Sequence, residues 1–170
     1  MFHQSLGITV FVRSKGHVTQ LVALRTNYGY DEAMFEQCLY FNTTSLARKL
    51  EREWAQAFKE FGLTPSQAFL LRVVLEKNGA LQSELAQEMN ISRSTATRTL
   101  DQLQKMHYVE RQQSASDGRE TVIAPTARAK KIRTELNEAS GAVTKRMKRK
   151  LGDRAFKDVV ATVKAASETI

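Results

Sequence analysis

The stretch from Ser92 to Ile123 limits the possible folds more than any other, because its apolar period changes part-way. Ala96, Leu100 and Leu103 recur at intervals of four and three residues, which predicts a helix from Arg93 to about Met106 with a narrow apolar stripe. Ser92 is suited to cap it, since a serine hydroxyl can accept one of the first unpaired backbone N–H groups. Directly afterwards the pattern becomes extended. Tyr108-Val109-Glu110-Arg111 and Thr121-Val122-Ile123 are strand-like, and Asp117-Gly118 between them is a short-range hairpin signal.

The elements on either side agree with one arrangement. A helix is expected from about Asp31 or Met34 to Phe61, its apolar positions including Leu39, Leu46, Leu50, Trp54 and Phe58, with Gly62 ending it. Thr64-Pro65-Ser66-Gln67 opens the next helix through a capping box with proline at the first helical position. That helix should bury Phe69, Leu70, Val73 and Val74 and stop at Asn78-Gly79. A short helix, Gln82 to Met89, leads through the turn Asn90-Ile91-Ser92 into the helix at Arg93. After Pro125-Thr126, helices of about Ala127 to Leu151 and Asp153 to Ser167 follow, with Gly152 between them. The expected fold is mainly α with a small β-hairpin wing: a winged helix-turn-helix domain at 63–126, flanked by helical dimerisation arms at 34–62 and 127–170. Residues 1–33 read differently, as an N-terminal extension. Their short β-prone runs, Ile8–Val12 and Val18–Leu24, with Gly7, Gly16 and Gly29, fit an extra strand pair, a disordered or accessory arm, or sequence upstream of a start at Met34, and the last two are favoured.

Two helices and a hairpin in this order suggest a function. A duplex major groove admits one α-helix whose outward face is small, polar and basic enough to approach base edges. Ser92, Arg93, Ser94, Thr95, Thr97 and Arg98 meet that demand, while Ala96, Leu100 and Leu103 hold the helix to its domain. Arg119, at or near the hairpin tip, is placed to enter a narrow minor groove, with Asp117 orienting it or the turn. A solvated amphipathic helix and an ordinary loop arginine are the bland alternatives. The formal net charge of +8 suits a polyanionic partner without identifying one.

Over about residues 38 to 150 the sequence resembles the MarR family of bacterial regulators. The pieces that carry the likeness are Gly62-Leu63-Thr64 with Gln67, Leu85-Ala86, the run Ile91 to Arg98 with Leu100, Asp101 and Leu103, Tyr108-Val109-Glu110-Arg111, and Asp117, Arg119 and Thr126. Pro125-Thr126 replaces the family's usual Leu-Thr pair, and Ala129 stands where a glycine is common. The resemblance implies a homodimer with interlocked first and last helices, bound to double-stranded DNA at a pseudo-palindromic operator with half-sites about 10 base pairs apart. In keeping with this, Ile132, Leu136, Val143, Met147, Leu151, Phe156, Val159 and Val163 are more apolar surface than one small winged domain needs to cover. Repression relieved by a small aromatic or phenolic ligand is the family's usual mode. Trp54, Phe58, Phe69, His107 and Tyr108 are candidates for lining its pocket, though aromatics at helical spacing more often form core.

Cys38, the lone cysteine, lies near the start of the first helix, as does the sensing thiol of the OhrR branch, but two residues further from Gly62. Two residues are over half a helical turn, so thiol-based redox sensing stands as an alternative beside a small buried hydrophobe. A nonspecific architectural DNA binder is the other alternative. The run Lys145 to Lys150 reads as a solvated helix face that helps steer DNA. One cysteine and three scattered histidines offer no metal set, and no organic cofactor is implied. The absence of a recognisable catalytic constellation argues against an enzyme. With no apolar run long enough to span a bilayer or form a signal-peptide core, the expected compartment is the cytoplasm.

Overall fold

The computed structural model describes residues 11–14, 17–20, 35–113 and 121–170. The chain divides into two compact units, Met1–Thr44 and Ser45–Ile170. In the first, β1 (Phe11–Ser14) pairs antiparallel with β2 (His17–Gln20), Phe11 opposite Gln20 and Ser14 opposite His17. Of the readings open for the N-terminal extension, these eight residues adopt the strand pair. The remainder of 1–33 lies outside the described residues.

The first long helix, α1 (Leu39–Phe58), starts later than its apolar pattern suggests. Residues 35–36 are already helical, and the Asn42 side chain donates to the carbonyls of Phe35, Glu36 and Cys38 at 2.9 to 3.2 Å, bridging the break at residues 37–38 that separates them from α1. Cys38 is half-buried, and its Sγ accepts from the Phe41 N–H at 3.5 Å, as a capping side chain would. Asp31 to Met34, where the helix was expected to begin, are outside the described residues. At the other end the chain tightens into a 3-10 turn, Lys59–Phe61, and Gly62 takes the left-handed conformation at φ 67°, as expected of a C-cap glycine.

The second unit is built on local signals that its sequence spells out. Thr64 Oγ1 accepts from the Gln67 N–H at 3.3 Å and Gln67 Oε1 accepts from the Thr64 N–H at 2.9 Å, so the capping box opens α2 (Pro65–Lys77). Asn78 (φ 50°) and Gly79 (φ 124°) end that helix. Then come β3 (Ala80–Leu81), α3 (Gln82–Glu88) and α4 (Arg93–Lys105), followed by β4 (Val109–Gln113) and β5 (Thr121–Pro125). The last part is α5 (Ala127–Lys131), α6 (Arg133–Leu151) and α7 (Asp153–Thr169). The helix expected to run unbroken from Ala127 is interrupted at Ile132, whose φ of −93° and ψ of 2° leave the helical region. Gly152 separates α6 from α7 as anticipated.

The sheet is antiparallel in the order β3-β5-β4, with Val109 opposite Pro125 and Gln113 opposite Thr121. Pro125 closes β5 beyond the reach of β3, which pairs only at Ile123 and Val122, so the missing N–H costs no bond on that edge. Thr126 then caps α5 by accepting from the Ala129 N–H at 3.2 Å. The departure from the family pattern at this point is thus accommodated.

Phe58, Leu70, Leu71, Val74, Leu85, Leu100, Leu103, Ile123 and Leu136 are fully buried in one core. Phe69 and Val73, expected inside, are only partly buried at its edge. Thr64→Ala is expected to cost about 1 kcal/mol by removing one partner of the capping box. Urea unfolding should show it as a lower midpoint at unchanged slope, and an unchanged midpoint would mean that the box contributes nothing.

Candidate nucleic-acid interface

The amphipathic division of α4 sets the site. Ala96, Leu100 and Leu103 have no exposed surface, and Thr99 is buried with its hydroxyl returned to the Thr95 carbonyl at 2.9 Å. Arg93, Ser94, Thr95 and Arg98 are exposed on the other side, and Thr97 is half-buried at its margin. Ser92 caps the helix, accepting from the Thr95 N–H at 3.2 Å, and its hydroxyl lies 3.0 Å from that of Ser94 and 2.9 Å from that of Thr95. The structure therefore brings Ser92, Arg93, Ser94, Thr95 and Arg98 together on one solvent-facing turn of helix.

Thr97 has a different role from the one its position suggests. Its hydroxyl donates to the Arg93 carbonyl at 2.8 Å and accepts from Gln82 Nε2 at 2.7 Å, which joins α3 to α4. With its single donor engaged, the hydroxyl retains only acceptor capacity toward a base. Gln67 makes a similar tie, donating from Nε2 to Gln102 Oε1 at 2.8 Å between α2 and α4.

Asp101 would place a carboxylate on the side of α4 that faces outward, where it would repel phosphates if left alone. Arg111, on β4, pairs with it at 2.6 Å and also donates to Gln104 Oε1. This contact masks the negative charge and braces the base of the wing against the reading helix. No local pattern announces it, because the partners lie ten residues apart on a helix and a strand. The strands of the wing are described as far as Gln113 and from Thr121, so Asp117 and Arg119 lie outside the described residues.

Of the aromatic residues considered for a ligand pocket, Phe58 and Tyr108 are buried in the core, and Trp54 and Phe69 are partly buried against it. Phe58 meets Phe69 edge-on at 5.8 Å between centroids, and Trp54 lies 6.2 Å from Phe69. Tyr108 is buried, donates its hydroxyl to the Phe61 carbonyl at 3.2 Å and carries the Arg128 guanidinium over its ring. His107 is exposed, with a left-handed backbone at φ 59°. Beside this cluster Arg72 donates to Asn137 Oδ1 at 2.8 Å and to Ser140 Oγ at 3.0 Å, and Trp54 Nε1 donates to the same serine at 3.3 Å. Burial lowers the Arg72 pKa from its ordinary value. These bonds connect α1 and α2 to α6, and sequence reasoning had no means of finding them.

A helix pair with an exposed basic turn, followed by a braced hairpin, is the geometry of a winged helix-turn-helix. A sequence profile described as the MarR family matches residues 61–120, which span α2 to the wing. Over 114 residues the chain is 25% identical to the HTH-type transcriptional regulator MgrA of Staphylococcus aureus, covering 66% of this chain and 78% of that protein. The likeness to the MarR family is carried by residues 61–120. The curated relatives it matches are transcriptional regulators. Two solved structures of transcriptional regulators share the fold. The repressor CouR of Rhodococcus jostii RHA1 has been solved on a 23-mer DNA duplex (TM-score 0.68, 20% identity, 78% of this chain and 94% of that one) and with p-coumaroyl-CoA. A mutant MarR of E. coli in complex with operator DNA superposes with a TM-score of 0.69 at 18% identity, covering 75% of this chain and 92% of that one.

Proposed function

We propose that the chain is a MarR-type transcriptional regulator, a cytoplasmic homodimer that occupies a pseudo-palindromic operator on double-stranded DNA and represses transcription until a small aromatic or phenolic ligand releases it. The observation that carries the reading is the exposed turn Ser92 to Arg98 on α4, small and basic outward and fully anchored inward by Ala96, Leu100 and Leu103. Arg93 and Arg98 form no ion pair among the described residues, which leaves both guanidinium groups available to bases or phosphates. Arg119 is assigned to the minor groove beside the reading helix, with Asp117 orienting it.

Dimerisation is supported by what the single chain leaves in water. The 17 residues of α7 include none that is buried. Leu151, Val159, Val160 and Val163 are 43 to 53% exposed, and the first three border a groove of about 720 Å³ with Leu46, Leu50, Trp54, Met147 and Phe156. Leaving such a surface uncovered forgoes about 25 cal/mol for each Å² of apolar area, and a two-fold partner presenting the same face would bury it. For the ligand, a cleft of about 480 Å³ beside Arg72 is lined by Phe69, Val73, Met89, Arg133 and Asn137. It adjoins α2 and α6, so an occupant would bear on the elements that connect the arm to the reading domain.

The test is fluorescence anisotropy against duplexes from the promoters of the protein's own and neighbouring genes, with scrambled DNA as control, over a salt series. A sequence-specific regulator should prefer one pseudo-palindrome by about a thousandfold. Equal affinity for both duplexes would indicate an architectural binder instead, and no binding at low salt would sink the DNA-binding assignment. Arg98→Ala should lose about 1–3 kcal/mol on the operator if its guanidinium reads a base, and little on scrambled DNA. The same loss on every sequence would identify a phosphate contact.

A further inference from the structure

The chain's excess positive charge does not lie in its reading domain. Residues 63–126 carry seven lysines and arginines against seven aspartates and glutamates. Residues 127–170 carry twelve against five and so hold seven of the eight net positive charges. Their densest part is Lys145-Arg146-Met147-Lys148-Arg149-Lys150 at the end of α6, followed across Gly152 by Arg154 and Lys157 on α7.

Part of this cluster is answered within the chain. Arg146 and Lys150 pair with Glu53 of α1 at 3.0 and 3.6 Å, and the Arg146 hydrogen bond is the main reason that the Glu53 carboxyl titrates below its ordinary value. Lys148 lies over the Phe156 ring at 5.6 Å, and Arg154 reaches Asp158 at 4.0 Å. Lys145, Arg149 and Lys157 are exposed and meet no acid within ion-pair distance among the described residues. Cations in the last turn of a helix offset its dipole, but Lys145 precedes that turn and Lys157 belongs to the second turn of α7.

The cluster is also away from the reading face. The helix α4 packs on α2, α3 and β4, whereas the basic end of α6 lies against α1 and α7. From Leu136, where α6 enters the winged core, Lys145 and Arg149 are about 14 and 20 Å further along the axis at 1.5 Å per residue. We propose that Lys145, Arg149 and Lys157 form a second contact for double-stranded DNA, gripping phosphates of a segment other than the one under α4, so that one protein molecule ties two segments together. The row Glu138, Ala142, Lys145, Arg149 along α6 is exposed and carries no large apolar side chain. A protein partner needs buried apolar or aromatic anchors, and a bilayer needs an apolar face to insert. A phosphate backbone needs only spaced cations.

The inference rests on the DNA-binding reading above, and a two-duplex capture separates the two. A biotin-tagged duplex is loaded with the full-length protein and challenged at low salt with a fluorescent duplex of unrelated sequence. Wild type should retain the second duplex. The variant Lys145→Gln, Arg149→Gln, Lys157→Gln, which alters only side chains exposed in the single chain and should leave the mass in solution unchanged, should retain about tenfold less while binding a single duplex within about twofold of wild type. Retention unchanged in the triple variant overturns the proposal, as does a parallel loss of single-duplex binding, which would assign these residues to the reading interface. Binding to phosphatidylglycerol vesicles that the triple variant loses, with duplex capture unaffected, would assign the surface to lipid instead. Wild type that binds one duplex and captures no second overturns this inference alone, and wild type that binds none overturns both.

Discussion

Glutamates at Val160 and Val163 are expected to halve the mass of the protein in solution, from about twice 19.2 kDa to the single chain, and to weaken operator binding at least a hundredfold. In one chain both side chains are about half exposed, so the carboxylates can reach water and circular dichroism should change little. In a two-fold dimer the same positions face an apolar partner, and burying unpaired carboxylates there costs several kcal/mol for each chain. The loss of DNA affinity follows because a monomer presents one reading helix to a two-half-site operator and forfeits the effective concentration of the second. Sedimentation equilibrium beside anisotropy checks both parts. A double variant that keeps its mass and its affinity would show that α7 does not hold the dimer and that the exposed valines need another explanation.

Leu100→Ala should unfold at markedly lower urea, with a cost of about 2–5 kcal/mol. Leu100 has no exposed surface and belongs to the core formed by α2, α3, α4 and β5, so truncation leaves a cavity that its neighbours can only partly refill. For a chain of this size each kcal/mol corresponds to about 2–4 °C in Tm, so a fall of roughly 5–15 °C is expected. Because Leu100 anchors the reading helix from behind, the fraction still folded should also bind DNA less well. A cost below about 1 kcal/mol would mean that α4 is held mainly by its polar ties, Gln82 to Thr97 and Gln67 to Gln102.

Much of the winged domain was legible because its signals are local. Thr64 with Gln67, Gly62 and Ser92 each act within a few residues of themselves, through a side chain that accepts a nearby N–H or a glycine that tolerates positive φ. Ala96, Leu100 and Leu103 identified the buried side of α4 by spacing alone, and the exposed side followed as its complement. Where a local signal was weak, expectation and structure part. The helix expected to run unbroken into α1 is interrupted at residues 37–38, where Asn42 makes three side-chain bonds to the preceding carbonyls, a break that apolar spacing does not show. The two-residue strand Ala80–Leu81 is too short to show any alternation, and only its pairing with Val122 and Ile123 makes it a strand.

The site divides in the same way. Which residues of α4 face solvent was determined by the sequence, since helical geometry puts Arg93, Ser94 and Arg98 opposite the apolar stripe whatever the rest of the chain does. Whether those residues are free to act was decided only by tertiary structure. The Thr97 hydroxyl proves to be shared with Gln82, the charge of Asp101 is masked by Arg111, and of the aromatic candidates Phe58 and Tyr108 are buried in the core while Trp54 and Phe69 stand at its edge. All these partners are distant along the chain. Local geometry is written in a few neighbouring residues, whereas a contact between remote ones depends on how the elements pack, and that arrangement follows from the whole core at once.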